Sequence, residues 1–523
     1  MLTGSLGLDI VCFVAVAYTV VSLCKPLFSP LRNIPGPFAA RFTNLWYFRR
    51  MLRGQFQHDN ISLHQKYGPI VRYGPNRYSF NDPSAAGTIY AIGTGAQFAK
   101  STWYETFGQP GEHQWTLFSD LNIKRHAQNR KLFSSMYAMS SLVSYEAYVD
   151  ECADVFSQRL QELSTVLEGN QKEGLFVNMG HWFQCYAFDV IGLITYSKRL
   201  GFLDQGEDVG GIIAALETHL LYSSLVGIYS SLHNFLYHLL NWCTGGSGTA
   251  REYVVAFTKE CVRKHESEPK ALDMEKEDHE TMDFLSKAIA RNRNDPERFT
   301  NYHTLAACVS NMAAGSDTTA ISLSAILFYL LRNPDSMRKL QQEVDIYQAE
   351  LGSSPNIPFK VTSEMPYLQA VMKEALRMHP ATGLPLERVV PKGGSSICGR
   401  FFPEGTIVGI NTWVEHRNPQ IFGADANSFK PERWLTEDAS QLAMMNRHWM
   451  PFGAGSRTCI GRHISILEMS KLIPRLVRDF DFELNQAIAT NEKSWKTTTF
   501  WFVKPRDFEV KIRRRGHRET TEA

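Results

Sequence analysis

Apolar positions along the chain fall into runs with different periods. Across residues 304–332 apolar side chains cover every face of a helical wheel: Leu305, Ala306, Val309, Met312, Ala313, Ile321, Leu323, Ile326, Leu327, Tyr329 and Leu330. A helix of that kind is predicted to run through the core. After Cys459 the apolar residues thin to Ile464, Leu467 and Leu472, with Glu468 and Lys471 between them, which predicts an amphipathic helix. Near the N-terminus, residues 10–24 are apolar and uncharged, and with residues 2–8 the run approaches the roughly 20 residues that a bilayer-spanning helix needs. Asp9 is the one charge there, close enough to the end to reach the interface. No basic segment precedes this run and no small-residue cleavage site ends it, so an uncleaved anchor is expected. Lys25, Arg32 and Arg41 follow, placing the remainder on the cytosolic side.

Prolines 26, 30, 35 and 37 then break any helix and predict a stiff connector. Residues 263–298 are charged and poor in apolar side chains apart from 282–290, as expected of a solvated helix–loop segment. The end of the chain, from Lys511 to Arg518, is basic and reads as a frayed tail.

Composition narrows these possibilities. A chain of 523 residues has room for three domains, yet no composition boundary or repeat appears between the connector and about residue 510, so one large domain is expected. Lys plus Arg total 55 against 53 Asp plus Glu, a balance that points to no nucleic-acid partner. Nine scattered cysteines, an odd number, fit reduced thiols in a cytosol-facing body better than a disulfide framework.

The chemistry concentrates in Pro451-Phe452-Gly453-Ala454-Gly455-Ser456-Arg457-Thr458-Cys459-Ile460-Gly461. Gly453, Gly455 and Gly461 permit a tight loop, and the predicted helix after Cys459 aims its N-terminus at the sulfur, which favours thiolate. Arg457 adds a cation. A zinc site built on Cys459 and His463 lacks two further ligands at close spacing. A dinucleotide loop needs glycine where Thr458 stands.

Within the apolar run, Ala314-Gly315-Ser316-Asp317-Thr318-Thr319 breaks the pattern, since glycine weakens a helix and a buried aspartate needs partners. Such violations are expected at functional sites. Glu374 and Arg377, at i and i+3, share one helix face, and Phe429-Lys430-Pro431-Glu432-Arg433-Trp434 follows about fifty residues on.

The loop carries every fixed position of F-G-x-G-x-R-x-C-x-G and so resembles the heme-thiolate signature of the cytochrome P450 family. The resemblance extends from the anchor to about residue 510, with Glu374–Arg377 and Pro431–Trp434 resembling the E-x-x-R and P-E-R-F elements; Trp434 stands where Phe is commoner. It implies a mainly α fold, the P450 helical prism with a small β region, preceded by a transmembrane helix. Expected divisions are residues 1–25 as anchor, 26–40 as proline-rich hinge, 41–510 as catalytic domain and 511–523 as basic tail.

By the same resemblance Cys459 is the axial ligand of heme b iron, on the loop that contains Phe452. Gly315 would open a groove for dioxygen, and Thr318 with Asp317 would steady it and deliver protons. His126, Arg130, Arg388 and Arg457 would bind the propionates, although tryptophan is commoner at the position of His126. Glu374, Arg377 and Arg433 would form a buried structural triad. Electrons would come from NADPH through a separate reductase-like flavoprotein, with cytochrome b5 as a second donor, since no nucleotide fingerprint is present. Lys124, Arg125, Lys131 and Arg462 would face that partner.

An endoplasmic reticulum location, a single-pass anchor and a lipophilic substrate follow from the similarity to fungal microsomal members of the pisatin demethylase type, many of which act in secondary metabolism. Trp103, Phe118, Leu220, Leu225, Met312, Leu384 and Phe500 are expected in the substrate pocket. Two alternatives stay open: a heme-thiolate isomerase or dehydratase needing no reductase, against which Thr318 speaks, and a non-catalytic heme- or ligand-binding membrane protein, against which the Asp317–Thr318 pair speaks.

Overall fold

The computed structural model describes residues 28–516 apart from 96, 112–114, 139–143, 170–175, 244–249, 268–282, 353–355 and 486–495. The anchor expected at 1–25 and the end of the tail lie outside the described residues.

The apolar run forms one helix, Asn301–Arg332, of 32 residues, about 48 Å long at ~1.5 Å per residue. Its start is fixed by a capping box: the Thr300 backbone N–H donates to His303 Nδ1 at 3.1 Å, while the Thr300 side chain engages the His303 backbone. It stops at Asn333, because Pro334 disfavours helical geometry in the residue before it. Helices Met179–Tyr196, Pro366–Met378 and Arg462–Asp479 pack around this central helix. Its serines and threonines fit an apolar surrounding by bonding backward. Ser316, Thr318, Ser322 and Ser324 donate to the carbonyls of Met312, Ala314, Thr318 and Ala320 at 2.7–2.8 Å, so these four hydroxyls need no partner from another element.

Twelve strands are described. β1 (Ile70–Gly74), β2 (Arg77–Phe80), β3 (Ala99–Lys100), β5 (Arg388–Val389) and β8 (Ile407–Ile410) form one sheet in the order β1-β2-β8-β5-β3. β2 runs parallel to β8, and the other neighbours are antiparallel. β4 (Val177–Asn178), β9 (Phe480–Leu484) and β12 (Glu509–Arg514) form a second sheet, while β6 (Ser395–Ile397) pairs with β7 (Arg400–Phe402) and β10 (Thr497–Phe500) with β11 (Phe502–Pro505).

Two boundaries differ from the sequence expectation. The proline-rich connector is docked from Leu31 onward: Leu31 and Ile34 are buried, Arg72 N–H donates to Pro35 O at 2.8 Å, and a Cβ on Gly36 would stand 2.2 Å from Arg72 O. At the other end, Lys511–Arg514 belong to β12, where Val510 and Ile512 point inward and pair opposite Leu484 and Phe482. A two-residue alternation was hidden among basic side chains.

Candidate active site

A cavity of about 300 Å³ lies between the Cys459 loop, the central helix, β5, the helix Ile123–Phe133 and the turn between β10 and β11. Cys459 is the cysteine in its wall; protein surrounds the residue, yet its side chain opens onto the cavity. The loop is closed by Cys459 N–H donating to Phe452 O at 2.8 Å. Gly453 and Gly455 adopt φ of +76° and +69°, and a Cβ on Gly455 would fall 2.0 Å from Tyr90 O. Glycine is therefore required at 455 by both conformation and space. Gly461 has φ of −84°, so its backbone conformation does not itself demand glycine.

Behind the loop, Glu374, Arg377 and Arg433 meet in the interior. Glu374 accepts from Arg377 Nε and Nη2 at 2.8 Å, Arg433 Nε at 2.8 Å, Lys430 N–H at 2.9 Å and Trp434 Nε1 at 2.9 Å. Trp434 thus has its own task, since phenylalanine has no N–H to give. The Arg377 Nη1 also donates to the carbonyls of His416 and Ala426 at 2.6 Å. His416 joins this cluster to the cysteine loop. Its Nδ1–H donates to Arg377 O at 3.0 Å while its Nε2 accepts from Met450 N–H at 2.9 Å, one residue before Pro451. Burial holds His416 well below its ordinary pKa, consistent with the neutral tautomer that this bridge requires.

The central helix supplies the wall facing Cys459 through Ala314, Gly315 and Thr318. Gly315 also has a packing reason: a Cβ there would approach Ile191 Cδ1 to 3.1 Å where the helix Met179–Tyr196 crosses. Asp317 is not in the lining. It is buried on another face, accepting from Gln184 Nε2 at 2.5 Å and pairing with Lys504 Nζ at 2.9 Å. Adjacent residues on a helix point about 100° apart, so a sequence neighbour of Thr318 need not share its surroundings.

His126, Arg130, Arg388 and Arg457 all line the cavity, and Lys100 joins them. β3 pairs with β5 so that Lys100 stands directly opposite Arg388, a like-charge cross-strand pair that is unfavourable by itself. Arg388 Nη1 donates to Glu387 O at 2.8 Å, and the Glu387 carboxylate is ion-paired with Arg77 and accepts from Tyr73 Oη at 2.9 Å and Ser101 Oγ at 2.6 Å. Burial, Arg457, Lys100 and Arg130 together push His126 down to about 3. Burial and Arg388 lower Arg457 to about 10, and burial, Arg388 and Arg457 hold Lys100 well below its ordinary value. The Arg457 Nη1 and Nη2 are buried and make no hydrogen bond. Asp120, whose charge acts on Arg457, is already paired with Arg125 at 2.7 Å.

Cations gathered against their mutual repulsion, one with an orphaned guanidinium, form a site for a strongly anionic ligand. A heme with two propionates fits these donors, and Cys459, on the loop that contains Phe452, is the thiol that would hold its iron. Burial pushes the Cys459 thiol up, against the pull of the Gly461 N–H and of Arg130 and Arg462.

Among the cavity residues to which sequence reasoning gave no role at the site are Lys100 and Glu468. Lys100 lies in the stretch of residues 98–118 that was expected to contribute to the pocket, but its membership of the cation group depends on β3 pairing with β5. Glu468 was assigned to an amphipathic face, but it is buried at the cavity, its Oε2 has no hydrogen-bond partner and burial holds its carboxyl well above the usual range.

Of the expected pocket residues, Phe118 lines the cavity, whereas Trp103, Leu220, Leu225, Met312, Leu384 and Phe500 do not. Trp501 and Phe502 replace Phe500, because φ of +72° at Trp501 turns two consecutive side chains inward. Met312 lies off the face that carries Ser310, Asn311, Ala314 and Thr318.

Comparison with known proteins agrees with this geometry. The family model described as Cytochrome P450 matches residues 34–509. A pisatin demethylase of Fusarium vanettenii is 39% identical over 514 residues, covering 97% of this chain and 96% of its own length. A cytochrome P450 monooxygenase of Aspergillus terreus is 39% identical over 88% of this chain and 92% of its own, and one of Emericella nidulans is 35% identical over 93% and 94%. With the family model spanning nearly the whole described body and relatives matching end to end, the chain belongs to the cytochrome P450 family and is an oxidoreductase of the monooxygenase type.

Proposed function

We propose that this chain is a membrane-bound heme-thiolate monooxygenase in which Cys459 ligates the iron and Thr318 works on the opposite face. The observation that carries this reading is the convergence on one cavity of Cys459, Thr318 and the unpartnered guanidinium of Arg457. When bound, the heme supplies reductive activation of dioxygen, and a cysteine ligand favours O–O cleavage. The protein does the rest. Arg457, Arg388, Arg130, Lys100 and His126 would hold the propionates, and the loss of mutual repulsion would contribute to retention. Gly315 and Ala314 leave room beside the Thr318 hydroxyl. Thr318 Oγ1 donates to Ala314 O at 2.7 Å, which points its lone pairs at the cavity, where they accept a proton-bearing partner. Asp317 is one residue away but on another helix face, paired with Lys504 Nζ at 2.9 Å, so a proton that it supplies reaches that hydroxyl only after this pair opens or through an intervening group. Glu374, Arg377 and Arg433 keep the loop in place through His416.

The substrate is a lipophilic ring compound that undergoes hydroxylation or dealkylation in secondary metabolism. Support comes from the relative named pisatin demethylase and from the wall itself. Tyr104 and Trp501 each pack against Phe118 at 5.3 and 5.5 Å, and Trp115 packs against Tyr302 at 5.8 Å. Offset and edge-on ring contacts of this kind favour flat aromatic guests.

Electrons arrive from NADPH through a separate flavoprotein reductase, with cytochrome b5 as auxiliary donor. Exposed Lys124, Arg125, Lys131 and Arg462 fit an acidic partner on the cysteine side. Anchoring in the endoplasmic reticulum through residues 1–25 is supported by a second feature. Phe38, Leu45, Leu52, Leu232, Phe235 and Trp242 are exposed apolar side chains suited to a lipid interface. The ferrous carbon monoxide spectrum tests the ligand. A red-shifted thiolate band is expected in the wild type and absent from Cys459→Ser; its persistence in the variant refutes the assignment.

A further inference from the structure

Between His303 and Thr318, the residues of the central helix that reach the cavity are Ala306, Ala307, Ser310, Asn311, Ala314 and Gly315. The alanines and the glycine form a smooth apolar trough. Asn311 is polar, but both its polar atoms are engaged within the protein: Oδ1 accepts from Tyr137 Oη and Nδ2 donates to Thr195 Oγ1 at 3.2 Å. Ser310 is different. Its Oγ donates to Ala306 O at 2.7 Å and bonds to no other element among the described residues. A hydroxyl has one proton, so Ser310 presents only lone pairs to the cavity and can act there only as an acceptor. Serine is also a poorer helix former than alanine, and a hydroxyl bonded back to its own helix adds no tertiary contact. The fold therefore gives no reason for serine on a face of alanines, and a local penalty without structural gain is expected at a functional site. Elsewhere in the same wall Phe118, Leu386, Trp501 and Phe502 are apolar.

We propose that Ser310 is a specificity-determining residue that accepts a hydrogen bond from a hydroxyl on the substrate. The enzyme then takes lipophilic ring compounds carrying a free hydroxyl in preference to the same skeletons with that group capped or replaced. The placement fits oxidation elsewhere on the molecule. Ser310 lies about one turn before Ala314 and two before Thr318, on the order of 6 and 12 Å along the axis at ~1.5 Å per residue. The anchored hydroxyl is thus set apart from the groove at Ala314 and Gly315. Moving a hydroxyl from water into an apolar wall is unfavourable unless a partner meets it, and an acceptor left unpaired by the wrong ligand adds to the discrimination. The inference deepens, and rests on, the reading that this cavity takes lipophilic ring substrates.

The test uses the full-length heme-loaded ferric protein and two flat probes of one shape, 2-hydroxyphenanthrene and 2-methylphenanthrene. Each is titrated against wild type, Ser310→Ala, Ser310→Thr and Ser310→Val, with binding read from the Soret shift and, independently of the heme, by calorimetry. Alanine is the better helix former, and threonine and valine share one shape, so folding and volume are both controlled. In Ser310→Ala the Kd of the hydroxyl probe is expected to rise at least about fivefold, the size of one buried hydrogen bond, while that of the methyl probe stays within about twofold of wild type. Ser310→Thr, whose hydroxyl can bond backward as Thr318 does, is expected to hold the hydroxyl probe at least about fivefold more tightly than Ser310→Val, with no such difference for the methyl probe. Equal loss of both probes in Ser310→Ala, or loss of neither, overturns the inference and leaves the ring-substrate reading intact, as does equal binding of the hydroxyl probe by the threonine and valine variants. Failure of both probes to bind the wild type removes that reading, and this inference with it.

Discussion

Replacing Glu374 with glutamine is a small change in shape and a large one in electrostatics. The carboxylate is fully buried, between Arg377, which is also fully buried, and Arg433, whose side chain is 6% exposed. It receives five donors from four residues. Glutamine retains one oxygen and turns an NH₂ toward donors, so at least two of the five contacts become donor against donor. More importantly, two guanidinium groups lose their shared counter-charge. Breaking a buried pair from one side costs about 3–5 kcal/mol. The carbonyls of His416, Ala426 and Ser428 still serve Arg377, and Asp425 still serves Arg433, which favours the lower end.

Unfolding entropy near ~2.1 cal/mol/K per residue makes a domain of this size lose about 1 °C of Tm per kcal/mol, so a fall of about 3–5 °C is expected in the purified Glu374→Gln protein. Because His416 carries the same cluster to Met450 at the start of the cysteine loop, heme content per protein should fall as well. Differential scanning calorimetry and the ratio of Soret to protein absorbance measure the two effects. A Tm within about 1 °C of wild type together with unchanged heme content would refute the reasoning.

Three further outcomes follow from the site. Arg457→Leu should leave the heme-free protein as stable as wild type or more so, since it removes a repelled cation, while heme transfer to apomyoglobin accelerates about tenfold or more, the equivalent of one charge-assisted hydrogen bond. His126, at about 3 in the fold against its ordinary 6.5, stays neutral while the unfolded chain takes up a proton. Its contribution to stability is full above about pH 6.5 and is lost as pH falls toward 3, so His126→Gln should flatten part of the drop in apoprotein Tm between pH 7 and 5. In Thr318→Ala, product formation should fall on the order of 10² while NADPH consumption continues, the excess appearing as peroxide, since a positioned proton-transfer group is typically worth that much; product yield per NADPH equal to wild type would remove Thr318 from the reaction.

How much of this was present in the order of residues differs from part to part. The periodicity of residues 304–332 sufficed for the buried central helix, because an apolar surface on all sides has no stable place except the core. The cysteine loop was readable for a similar reason: its chemistry is local, and Gly453, Gly455, Arg457 and Cys459 act within a few residues of one another. Glu374 and Arg377 were readable as a pair, but Trp434 as a third kind of donor was not, since its N–H matters only where the two segments meet. Lys100 became a member of the cation group only when β3 paired with β5, and like charges held in register are visible in no linear pattern. Asp317 shows the reverse case. Its position beside Thr318 put the two together in sequence, and the helical turn set them on different faces, one toward the cavity and one toward Lys504. The sequence by itself determined the family, the ligand loop and the core helix, all of which depend on local spacing. Only tertiary structure decided which charges face one another, because electrostatic energy depends on distance through space and burial, and neither is a property of position along the chain.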